Sequence, residues 1–205
     1  MTLLYFLQNI LVCFQCPFHH INYAQSLDGV HWTKPELGIF AFQGSKRNNI
    51  VMVTHTMDAF HVFYDDHPRC PAEERYKAVY TKPGQQLWCM VSADGVHFQD
   101  GWMISDQGRF DSHNTAFFDS NCGLYRCYYR DYHQGVRDIQ CMTSPDFHTW
   151  SQPVRLRYQE CTEDFQMYTN GIKPYFRAPH IYIGLPTRYT ERPAWTLNYD
   201  QLRCV

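Results

Sequence analysis

Ser26-Leu27-Asp28-Gly29-Val30-His31-Trp32 returns 66 residues later as Ser92-Ala93-Asp94-Gly95-Val96-His97-Phe98. A looser copy, Ser144-Pro145-Asp146-Phe147-His148-Thr149-Trp150, follows after a further 52 residues. Recurrence at that spacing marks one supersecondary unit used several times. Each copy joins a turn, Asp-Gly or Pro-Asp, to an aromatic three or four positions on. Asp and Gly supply the tight turn, and the aromatic opens the next strand or packs back over the corner.

A second landmark keeps step with the first. Asn49, Asn114 and Asn170 lie 65 and 56 residues apart, and each opens a strand-like stretch. After Asn114 comes Gly123-Leu124-Tyr125-Arg126-Cys127-Tyr128-Tyr129-Arg130, an aromatic-rich alternation suited to a half-buried strand. Asp138 to Met142 follows, then the third turn, then Trp150. That order gives three or four short antiparallel strands per unit, the content of a propeller blade. The units expected are 21–43, 44–106, 109–155 and 166–205, with 1–20 an irregular start or a strand of a preceding blade. Residues 44–106 and 109–155 should each form one antiparallel sheet, and Asn49, Asn114 and Asn170 should each begin an innermost strand.

The chain has 205 residues, 17% of them aromatic and 19% charged, a composition that builds strands and a real core. A net charge of −2 with no Lys/Arg run supplies no basic field, so nucleic acid is not an expected partner. Helical periodicity is absent, and no segment reads as a membrane span. The first eighteen residues are apolar, but they lack a basic start and a small-residue cleavage site. The nine cysteines (13, 16, 70, 89, 122, 127, 141, 161, 204) are scattered and odd in number, which fits a reducing, cytoplasmic setting better than a secreted disulfide scaffold. Cys13 and Cys16 alone have metal-like spacing and no second ligand pair, and the chain has no P-loop, GxGxxG, GxSxG or HExxH sequence. Neither metal nor cofactor is expected, and the sequence leaves the oligomeric state open.

Three stretches resemble proteins similar to glycoside hydrolase families 32 and 43: Ser26 to Gly38, Asp111 to Asp119, and Tyr168 to Tyr182. The resemblance spans 21–193 and implies an all-β fold, a five-bladed β-propeller with a sugar site in its central funnel. By that comparison the chain holds about three blades and part of a fourth, a truncated form. Its implied partner is an oligosaccharide or other glycoside. The sialidase Asp-box is a near miss, because here Gly directly follows Asp.

Glycoside hydrolysis needs two carboxyl groups, one a proton donor and one a nucleophile or base. Asp111 sits just before Asn114, with Arg109 placed to hold it ionised. On the later side stand Glu163 and Glu160. Glu163 ranks first by its distance to Asn170, whereas Glu160-Cys161 resembles the Glu-Cys pair of family 32. Asp119 suits a turn, and Asp131 either reaches the site or pairs with Arg130. The plainer reading of each acid is a solvated loop carboxylate. Candidate sugar contacts are Arg109, His113, Asn114, Arg130, Asp131, Tyr168, Asn170, Arg177, His180 and Arg188. Arg177 and His180 lie in an apolar run, so they are expected to be buried and paired, with Asp111 the favoured partner. The plainer alternative for them is a structural bridge between blades.

Overall fold

The computed structural model describes residues 3–9, 19–54, 57–158 and 166–189. Its strands are β1 (Leu3–Asn9), β2 (His19–Ser26), β3 (Trp32–Thr33), β4 (Ile50–Thr54), β5 (Asp58–Tyr64), β6 (Tyr76–Lys82), β7 (Gln86–Ser92), β8 (Gln99–Ser105), β9 (Thr115–Asp119), β10 (Leu124–His133), β11 (Val136–Ser144), β12 (Val154–Arg155), β13 (Lys173–Tyr175) and β14 (Ala178–Ile183). Among the described residues the helical content is a single 3-10 turn, Ala72–Glu74, and no helix is long and apolar enough to cross a membrane.

The strands form three four-stranded antiparallel sheets and a two-stranded one. In the second sheet the order is β5-β6-β7-β8, and in the third β9-β10-β11-β12, each a meander between short turns. The first strands of successive sheets abut, β5 against β9 and β9 against β13. The chain is thus all-β and forms part of a β-propeller, three blades and the start of a fourth.

Two segments depart from the expected units. Leu3–Asn9 is a strand paired along the length of β2, where an irregular start was one expectation. β4 pairs with β2 instead of joining the sheet that follows it, so the second sheet begins at residue 58 and not at 44. Asn49 causes this. Its Nδ2 donates to the Tyr23 carbonyl at 2.6 Å and its carbonyl accepts from Tyr23 N at 2.9 Å, latching the chain to β2. Asn49 is therefore not the counterpart of Asn114, which stands directly before β9.

The three heptads occupy equivalent corners, each leading into an edge strand: β2 to β3, β7 to β8 and β11 to β12. Their hydrogen bonds are the same. The Ser Oγ meets the Asp Oδ1 at 3.0–3.1 Å, and that oxygen accepts the backbone N–H groups two and three residues on at 2.7–2.8 Å. Accepting those bonds favours the ionised carboxyl and holds Asp146 down to about 2; Asp28 is lowered too, first by the His31 side chain and then by the same backbone bonds. The residue after each Asp has a left-handed backbone: Gly29 at φ 77°, Gly95 at 74° and Phe147 at 66°. Glycine takes that conformation freely, whereas phenylalanine is strained there.

Packing keeps Phe147 in place. It is fully buried and touches Phe63, Trp102, Tyr125 and Trp150 at ring separations of 5.1–6.2 Å. These rings belong to the core between the second and third sheets, with Val79, Leu87, Cys127 and Tyr129. β10 alternates between two such layers. Tyr125, Cys127 and Tyr129 face the second sheet, while Tyr128 faces the fourth beside Phe117, Ile139 and Ile172. A strand covered on both faces carries apolar side chains on both, as the central run Cys127-Tyr128-Tyr129 does. Three buried thiols follow the same logic: burial pushes Cys89 up to about 12, and Cys127 and Cys141 upward too, so they act as small core groups.

One buried ion pair pins the second and third sheets together. Lys77 on β6 donates to Asp65 at 2.7 Å, and the Tyr125 hydroxyl of β10 donates to the same oxygen at 2.9 Å. Burial pushes the Asp65 carboxyl up, but the bonds from Lys77 and the His67 N–H outweigh it and hold the carboxyl below its usual range.

Candidate active site

The segment 109–115 arrives from β8 and must enter the first strand of the third sheet. Asn114 makes the entry. Its Nδ2 donates to the Phe110 carbonyl at 2.9 Å and lies 3.4 Å from Thr81 Oγ1 on β6. Asn170 does the same work one sheet later with all its bonding capacity. It donates to the His113 carbonyl at 3.0 Å and the Tyr128 carbonyl at 3.3 Å, and accepts from Thr115 Oγ1 at 2.8 Å and Ile172 N at 3.0 Å. Both side chains are buried, so these two asparagines frame the site and are not surfaces for a ligand. Asn114 Oδ1 is the exception, a buried acceptor with no partner among the described residues.

Asp111 stands between these frames with its side chain 56% exposed, and it accepts a hydrogen bond from Arg130 Nη2. The guanidinium is itself buried, at 3% exposure. Arg130 reaches it because the β9–β10 hairpin sets residue 130 beside the segment leading into β9, where Arg109 N donates to the Arg130 carbonyl at 3.2 Å. The Arg109 side chain, expected to hold Asp111, is exposed, and only its backbone takes part. Asp131 does not join either. Alternation along β10 turns it to the other face, where it bonds Gln140 Nε2 at 3.2 Å and Tyr132 N at 2.8 Å.

Arg130 also heads a closed ring of cations and aromatics. Its Cζ lies 5.0 Å from the Tyr168 ring and 5.3 Å from Tyr132; Arg137 lies 5.2 Å from Tyr132 and 3.9 Å from Tyr189; Tyr189 returns to Tyr168 at 6.2 Å. The strand-like pairing of 166–169 with 187–189 builds this wall, through Tyr168 N to the Thr187 carbonyl at 2.7 Å and Tyr189 N to the Gln166 carbonyl at 2.8 Å. Gln166 Oε1 accepts from Arg137 Nη1 at 2.7 Å. Arg188 sits in this pairing as the bridge partner of Met167, with its side chain exposed. Half-exposed tyrosines backed by guanidinium groups make a surface on which a sugar ring can stack.

Behind Asp111 the first strands converge. His61 of β5 and His113 meet at 3.4 Å between Nδ1 and Nε2, and Lys173 opens β13 beside them. Desolvation lowers the pKa of both histidines, and the nearby Lys173 ammonium lowers them further; His113 adds to the effect on His61. The sequence singled out His113 but not His61, Lys173, Tyr132, Arg137 or Tyr189. Lys173 had a signal, standing three residues after the Asn170 landmark. The others become visible only once strand register is known.

Arg177 and His180 are the clear correction. Both are exposed, and neither meets Asp111, whose partner is Arg130. Arg177 lies in the β13–β14 turn, its Cζ 5.2 Å from the Phe176 ring. The run around them is apolar, but a two-stranded sheet packs on one face only. Tyr182 goes inward to Phe117 and Asp119 while Ile181 and Ile183 stay exposed. Asp119 closes the β9–β10 turn and collects Arg126, Cys122 and Tyr182. Glu160 and Glu163 lie outside the described residues, as do Cys13 and Cys16. Among the described residues no group of acids, histidines and thiols is arranged to hold a metal. A shallow groove lined by Asp28, His31 and Thr33 belongs to the β2–β3 corner, and its acid is already committed to the turn.

No protein-family model matches the chain, and no curated protein matches it. Two solved structures are similar in fold. One is an N-acetylgalactosamine deacetylase from F. plautii in complex with blood group B trisaccharide: TM-score 0.55, 14% identity, 85% of this chain and 58% of that one. The other is an α-L-arabinofuranosidase from Fusarium graminearum, solved as a mutant with an iminosugar inhibitor: TM-score 0.53, 13% identity, 94% of this chain and 55% of that one. The chain spans a little over half the length of each. At such identities the likeness is one of fold.

Proposed function

We propose that this chain belongs to a carbohydrate-active propeller, similar to glycoside hydrolase families 32 and 43, that cleaves a glycosidic bond with a pair of carboxylates. The observation that carries the reading is Asp111, a carboxylate open to ligand and fixed by a buried guanidinium at the entry to an inner strand. In this reading Asp111 is the nucleophile or the base for water, and Arg130 positions it. Glu163, or else Glu160, delivers the proton from the segment that leads into Gln166. The two similar folds were both solved with sugar-like ligands, a trisaccharide and an iminosugar, which favours the same ligand class here. Tyr168, Tyr132 and Tyr189 offer stacking faces, and His113 and Arg188 offer hydrogen bonds to hydroxyl groups.

The test is turnover of aryl glycosides and short oligosaccharides by the chain and by Asp111→Asn. Acid–base and nucleophilic roles predict a loss of at least about 100-fold in rate with sugar binding retained and the melting temperature unchanged. Equal turnover by the two proteins would exclude Asp111 from the chemistry. The ring of Arg130, Tyr132, Arg137, Tyr189 and Tyr168 favours a second reading, a non-catalytic sugar-binding module, because it needs no acid at all. That reading predicts binding in both proteins and turnover in neither.

A further inference from the structure

We infer that the cluster of His61, His113 and Lys173 receives an anionic substituent, a carboxylate or sulfate ester, on the sugar bound at Asp111. The inference rests on the carbohydrate reading of that site and narrows it to acidic glycans. Three sheets contribute to the cluster: His61 lies on β5, His113 directly before β9, and Lys173 is the first residue of β13. Three first strands converge here, β5 on β9 and β9 on β13, and His113 and Lys173 are exposed at that convergence.

Among the described residues the cluster holds an ammonium and two imidazoles and no acid. Among the described residues Lys173 forms no ion pair, and the nearest carboxylate in sequence to His113, Asp111, is committed to Arg130. The contact between His113 Nε2 and His61 Nδ1 requires one nitrogen to donate and the other to accept. With His113 donating, His61 carries its proton on Nε2, and that nitrogen is buried with no partner among the described residues. Arg130 Nε and Ser112 Oγ are likewise buried and unpartnered among the described residues. Buried donors left unpaired are costly, and an oxyanion satisfies several at once while neutralising the ammonium. Desolvation keeps both histidines in their neutral form at neutral pH, so Lys173 supplies the charge, His61 Nε2 supplies a hydrogen bond, and His113 fixes the His61 tautomer.

The experiment is calorimetric titration of the full chain with matched trisaccharides in neutral, uronate-containing and sulfated forms, repeated on Lys173→Met. Lys173 is exposed, so this variant keeps the fold, and a thermal melt checks that it does. The expected result is at least tenfold tighter binding of one acidic form than of its neutral counterpart. Lys173→Met removes that gain and leaves neutral-sugar affinity unchanged, and the acidic form that shows the gain identifies the anion. Equal binding of neutral and acidic forms, or a preference that survives in Lys173→Met, overturns the inference and leaves the Asp111 reading standing. Binding of no trisaccharide of any kind removes the sugar site, and the inference with it.

Discussion

Phe147 occupies the position that glycine fills in the other two heptads, so strain and packing oppose each other at one residue. Truncating a buried phenylalanine costs about 3–5 kcal/mol, while relieving a left-handed non-glycine backbone returns about 1–2 kcal/mol. Phe147→Gly should therefore be destabilised less than Phe147→Ala, by about 1 kcal/mol in urea unfolding, and both should fall well below the parent chain. The reverse order would mean that the φ of 66° carries no strain. His61 sets a second residue-scale expectation. Its pKa in the folded chain lies below the ordinary value, so the unfolded chain binds the extra proton as the solution acidifies. Its contribution is full above about pH 6.5 and is lost as pH falls through that value, at about 1.4 kcal/mol per pH unit. The turn carboxylate of Asp146, held near 2, is lost only at lower pH, below about 4, so the two windows separate. Urea midpoints measured from pH 7.5 to 5 should show the decline, and His61→Asn should flatten it by about one proton. An unchanged slope would place the titration elsewhere.

At the scale of elements, the repeat was legible and the cross-sheet contacts were not. Asp28, Asp94 and Asp146 sit in one local hydrogen-bonding pattern, and local patterns leave their mark on neighbouring residues in sequence. Asn114 and Asn170 could be placed before first strands for the same reason. The link between Asp111 and Arg130 is 19 residues long and depends on the register of the β9–β10 hairpin, which no residue near either end announces. Arg177 was misplaced because an apolar run reads alike whether a sheet is covered on one face or two. Asn170 ties the third sheet to the strand of the fourth through four bonds, so Asn170→Ala strips buried partners from His113, Tyr128, Thr115 and Ile172. A loss of about 3 kcal/mol or more in stability is expected, with amide exchange quickening first around 113–115 and 170–173. Uniform loosening of the whole chain at constant local order would show that this residue is not the tie between sheets.

Over the whole molecule, successive sheets pack face against face and their first strands meet, which brings the candidate site's side chains into one region although they come from distant sequence. His61, Asp111, His113, Arg130, Tyr168 and Lys173 gather there, whereas the heptad corners and the outer face of β14 hold none of them. A carbohydrate ligand should feel that region first. Backbone amide shifts of the 15N-labelled full chain, followed during titration with short oligosaccharides, test this directly. The account predicts saturable changes confined to 109–115, 128–132 and 168–173, absent in Asp111→Asn only where the carboxylate itself makes contact. Changes centred on the 26–33 corner or on β14, with the Asp111 region silent, would contradict it.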